Sequence, residues 1–121
     1  MTKPWIIRQP LDMHLHLRQG DMLKTVTPVS AEPFVGAVIM PNLVPPVTTV
    51  EHVIAYRDAI LATSAPHAFV PLMTLFFRDY RAEELAAAKP HILAIKLYPD
   101  GVTTNRDRKS TRLNSSHLVI S

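Results

Sequence analysis

The sequence contains no cysteine. A disulfide framework and a thiolate metal site are both excluded, so any metal must sit on histidine, carboxylate or a modified side chain. No apolar run approaches the ~18 residues needed to cross a bilayer. Residues 1–5 lack the charged start and long apolar stretch of a secretory leader. A cytoplasmic protein without a membrane partner is expected. Charge of one sign is scarce too. The formal net charge is +3, but four of the 13 basic residues (Arg106, Arg108, Lys109, Arg112) and one of the 10 acids (Asp107) lie in the last 16 residues. That leaves nine of each sign in residues 1–105, which gives no electrostatic footprint for nucleic acid.

What is present suits a globular domain: 121 residues, 47% of them hydrophobic. Apolar runs alternate with helical stretches. Trp5 to Gln9 reads as a first strand. Gly20 to Thr27 reads as a short helix, capped by Asp21 and stopped by Pro28. Val35 to Met40, ended by Pro41, reads as a buried strand. Thr48 or Thr49 can cap the next helix, where Val50, Val53, Ile54, Arg57, Ile60 and Leu61 fall on one face with Arg57 as the one polar exception. Phe69 to Phe77 reads as a third strand, Arg81 to Lys89 as an Ala-rich helix stopped by Pro90, and Ile92 to Leu97 as a fourth strand with Tyr98-Pro99 as its exit. The order β-α-β-α-β-α-β predicts parallel strands joined by crossover helices.

The last stretch breaks this pattern. Residues 106–121 show neither a strand period nor a helix face. Asp107 to His117 (DRKSTRLNSSH) looks like the translation of a common sequencing-library adapter, and Leu118-Val119-Ile120-Ser121 fits the index region that follows in such adapters. Two regions are therefore expected: residues 1–105, and a non-native, disordered tail at 106–121.

Three places carry candidate chemistry. In Asp12-Met13-His14-Leu15-His16-Leu17-Arg18, alternate side chains of an extended chain share a face, so His14 and His16 present two imidazoles side by side. Two neutral nitrogen donors at this spacing can share one divalent ion, although such pairs also occur on ordinary exposed strands. Lys96 lies inside a strand, where an amine must be paired, neutralised or led out to water. Asn42, after Pro41 at the end of the second strand, is either a turn residue or an amide aimed into a site. His52, His67 and His91 read as surface or packing residues, and Met13, Met22, Met40 and Met73 as packing.

Together, DMHLHLRQGDML, VIMPNLVPPVTTVE and AIKLYPDGVTTN, in this order and spacing, resemble the compact bacterial type of the dihydroorotase family within the amidohydrolase superfamily. The resemblance covers nearly all of residues 1–105. Met13 stands where members more often carry Trp, at a position between functional ones. The resemblance implies an α/β fold, a TIM (β/α)8 barrel of which about four βα units are present here, with its site at the C-terminal mouth. It implies two zinc ions, with His14 and His16 on the more buried one and a carbamylated Lys96 bridging both. It further implies Arg18 and Asn42 as holders of the substrate carboxylate, and Thr103 and Thr104 on a lid that touches substrate. The implied reaction is the reversible closure of N-carbamoyl-L-aspartate to dihydroorotate in pyrimidine synthesis. The substrate is a small molecule, and a homodimer is allowed at full length. The general base and the remaining ligands come from later strands in the family, so this chain is expected to be an inactive fragment. Asp12 falls too early to be that base and is expected to make a structural contact or to support the first pair of metal ligands. Competing readings are a hydantoinase- or allantoinase-like amidohydrolase and a non-enzymatic metal-binding module.

Overall fold

The computed structural model describes residues 2–98 and the backbone of Leu118–Ile120. The chain runs β1 (Leu11–Leu15), α1 (Gly20–Ala31), β2 (Gly36–Ile39), α2 (Val50–Ser64), β3 (Val70–Leu72), β4 (Thr74–Phe76), α3 (Ala82–Ala88), a 3-10 turn (Lys89–His91), β5 (Ala94–Lys96) and β6 (Leu118–Ile120). Parallel ladders join β1 to β2, β2 to β3, and β4 to β5. Each of these three parallel pairs is joined by a crossover helix, which is the repeat of an α/β barrel wall. β6 pairs antiparallel with β5. It is the one described stretch of the tail.

The first strand lies later than the apolar run at Trp5 to Gln9 suggests. Trp5 is 97% exposed and Ile6 and Ile7 are 74% exposed. Backbone pairing starts only where Val35 N–H donates to the Pro10 carbonyl. A strand needs a ladder, and residues 2–9 have none among the described residues. The third strand, read as continuous from Phe69 to Phe77, is two short strands either side of Met73. Val70–Leu72 bonds to β2, whereas Thr74–Phe76 bonds to β5. The Thr74 hydroxyl donates to the Ile39 carbonyl at 2.6 Å and so ties β4 to the end of β2.

Helix α1 also departs from its sequence reading. Gln19 is its N-cap, Asp21 lies in the first turn, and Pro28 is inside a helix that continues to Ala31. Proline removes one backbone donor but leaves the following turn free to form. That turn is held by the buried Thr27 and Ala31. α2 starts as expected: Thr49 accepts the His52 backbone N–H at 3.1 Å.

The core lies between the sheet and the helices. Leu17, Ala37, Ile39, Val47, Val53 and Ile60 are fully buried within it. β2 is buried on both faces, as suits a central parallel strand. At Gly36 a Cβ would meet the Val70 carbonyl oxygen at 2.5 Å, so only glycine admits β3 at this distance. No described helix is long and apolar enough to cross a membrane.

Candidate metal and substrate site

The site lies at the C-terminal ends of β1, β2 and β5. β1 does not reach it as a regular strand. Asp12 pairs with Ala37 and Leu15 with Ile39, so β1 spends three steps where β2 spends two. This is a β-bulge, a device that re-aims side chains at strand ends. The Asp12 carboxylate supports it by accepting the His14 backbone N–H at 2.9 Å. Its contact is structural. Beyond the bulge the chain turns through Arg18, whose φ of 62° lies in the left-handed region that non-glycine residues rarely adopt.

The bulge brings His14 and His16 together. Their Nε2 atoms are 3.1 Å apart and the ring centroids 5.1 Å. Two nitrogens held at ~2.05 Å on one tetrahedral ion would stand about 3.3 Å apart. The pair therefore fits two positions on a single divalent cation. Burial is the main force holding His14 below its ordinary pKa, with Lys96 adding to it. Burial, then the nearby Arg18, His14 and Lys96 charges, takes His16 down to about 4. Both imidazoles are neutral near pH 7, the form that binds metal. His16 Nδ1 is buried without a hydrogen-bond partner among the described residues.

From β5, Lys96 reaches the same point. It is 3% exposed. Its Nζ lies 3.3 Å from His14 Nε2, 2.9 Å from Met40 Sδ and 4.8 Å from the centre of the Tyr98 ring. None of these neighbours is a carboxylate. Burial accordingly lowers the Lys96 pKa and favours the neutral amine. Among the described residues no group of three or more His, Cys, Asp or Glu side chains is gathered for a metal. The donors present are two imidazoles and one amine.

Beside this cluster, Arg18 Nη1 donates to the Asn42 backbone carbonyl at 3.3 Å. Arg18, Gln19, Asn42, Leu43 and Val44 line a recess of about 140 Å3. The Tyr98 hydroxyl donates to Asn42 Oδ1, and the Tyr98 ring stacks on Phe76 at 5.4 Å. The structure thus gathers His14, His16, Lys96, Arg18 and Asn42. Thr103 and Thr104 lie outside the described residues. His91 meets Arg57 at 3.4 Å and His67 is exposed. Met40 and Tyr98, read as packing and as strand exit, are the site neighbours that the sequence reading passed over. The available cue was period two: Met40 with Asn42, and Lys96 with Tyr98, fall on one side of an extended chain.

Parallel strands in chain order, helices on the return path and polar groups at the strand C-termini define a segment of an α/β barrel enzyme. No protein-family model matches the chain. It is 48% identical over 118 residues to a dihydroorotase of Cronobacter sakazakii, covering 94% of this chain and 34% of the relative. It is 53% identical over 119 residues to a dihydroorotase of Escherichia fergusonii, covering 95% and 32%. The crystal structure of dihydroorotase from Campylobacter jejuni matches with a TM-score of 0.78 at 52% identity, over 82% of this chain and 29% of that one. The Saccharomyces cerevisiae dihydroorotase in complex with 5-fluoroorotic acid matches with a TM-score of 0.71 at 37% identity, over 80% and 27%. Over its own length the chain is similar to dihydroorotases, and it spans about a third of the length of the curated relatives it matches.

Proposed function

We propose that the chain carries part of the active site of a zinc-dependent dihydroorotase, which interconverts dihydroorotate and N-carbamoyl-L-aspartate in pyrimidine synthesis. The observation that supports this best is the convergence of His14, His16 and Lys96, with Lys96 Nζ 3.3 Å from His14 Nε2, beside the Arg18–Asn42 recess.

In this reading His14, His16 and a carbamylated Lys96 would be the residues of this chain that hold the zinc. The neutral amine forms a bond to the carbon of CO2 and releases a proton from nitrogen, which leaves an anionic carbamate where the uncharged amine stood. The lack of any carboxylate partner for Lys96 among the described residues favours the uncharged amine, the form that reacts with CO2, since a buried cation without a counter-charge is costly. The bound zinc pair supplies an acidified water and a polarised amide carbonyl. Arg18 and the Asn42 amide hold the substrate carboxylate, a task suited to the guanidinium fork. Thr103 and Thr104 are further substrate contacts in this reading. In hydrolysis the ring C–N bond breaks, the carbon gains a hydroxyl and the nitrogen a proton. The proton-shuttling carboxylate belongs to a later strand. A cytoplasmic location belongs to the same reading.

The test is a substrate panel on the family-length protein that carries this chain, offering dihydroorotate, hydantoin and allantoin. Dihydroorotate turnover that follows zinc content is expected. Preference for hydantoin or allantoin would overturn the reading.

A further inference from the structure

Asn42 is 5% exposed, so its amide cannot rely on water to set its orientation. A primary amide has an acceptor end and a donor end. Which end meets a ligand depends on what the other end bonds. Tyr98 supplies that bond. Its hydroxyl is a donor, and it engages Asn42 Oδ1. The Tyr98 ring is held in turn by its stack on Phe76, at 5.4 Å between centroids and 24° between planes.

We propose that Tyr98 is a positioning residue for substrate recognition: it pins the Asn42 carbonyl oxygen and so presents the Asn42 NH2 to a carboxylate that Arg18 also binds. The inference rests on the dihydroorotase reading above and deepens it, because it assigns specificity for a carboxylated ring to a residue that does not itself touch the substrate. Without the hydroxyl the amide can turn its oxygen toward the carboxylate, where two acceptors face each other.

Tyr98→Phe removes the hydroxyl and keeps the ring on Phe76. In the family-length enzyme it is expected to raise KM for dihydroorotate between about threefold and tenfold, the range of one hydrogen bond, with kcat within about twofold. Inhibition by orotate, a carboxylated ring that is not turned over, should weaken by the same factor. A double-mutant cycle separates positioning from mere packing. On an Asn42→Ala background, Tyr98→Phe should leave KM unchanged, because the group it orients is gone. An unchanged KM in the single variant overturns the proposal. So does a lowered melting temperature or kcat with KM intact, and so does a full effect that persists on the Asn42→Ala background. Absence of dihydroorotase activity in the unmodified family-length enzyme would instead sink the reading beneath it.

Discussion

At the scale of single residues, the site depends on neutral nitrogen. His16 is held at about 4, against an ordinary 6.5. In the unfolded chain it takes a proton below 6.5, whereas in the folded chain it resists until about 4. The unfolded state therefore binds more protons in that window, and stability rises with pH across it. Metal-free protein should lose urea resistance as pH falls from 7 to 5, and His16→Asn should flatten that dependence. Equal slopes for the two would contradict the assignment. Lys96 offers a second test at this scale. Lys96→Arg keeps a cation but cannot become a carbamate. It should cost the family-length enzyme at least about a hundredfold in turnover, together with bound zinc. Near-normal turnover would remove Lys96 from the chemistry. The meeting of His14, His16 and Lys96 was legible in the sequence because each lies at or just past the end of a strand in a parallel order. Asn42's dependence on Tyr98 was not, because residues 56 positions apart meet only once β2 and β5 are both in place.

At the scale of elements, strand existence was easier to read than strand boundaries. Val35 to Met40 is a continuous apolar run and is a strand in the structure. Trp5 to Ile7 is apolar too but finds no ladder among the described residues, so composition alone does not make a strand. The same holds for the break at Met73, where the chain changes hydrogen-bond partners without changing character. Helix ends were clearest where a side chain caps them. Thr49 caps α2, and Thr49→Ala should cost about 1 kcal/mol, with Thr49→Ser restoring most of it. An unchanged melting temperature in Thr49→Ala would show that the following turn is held by packing instead. The start of α3 rests on charge. Glu84 accepts from Arg78 at 2.9 Å and from the Arg81 backbone N–H at 2.8 Å. Its hydrogen bond from Arg78 takes its pKa down to about 2. Its contribution is present above the ordinary carboxylate value of 4.5 and is lost as pH falls toward 2.

At the scale of the whole chain, the described residues make one wall of a barrel with the site at its rim. They bring two imidazoles, one amine, a guanidinium and an amide to that rim. A hydrolytic centre of the proposed kind needs further metal ligands, a proton shuttle and an opposite wall to exclude water. Matches that cover 94–95% of this chain cover only 32–34% of the relatives. The 121-residue chain by itself should therefore show no dihydroorotate hydrolysis above the buffer rate, even with zinc added. It should also release zinc on dialysis, since two imidazoles and an uncarbamylated amine make a weak set. The decisive comparison is the same assay on the family-length protein at equal zinc content. Turnover by both would mean that the donors already gathered at the rim suffice for the chemistry, and that the later strands serve the fold rather than the reaction.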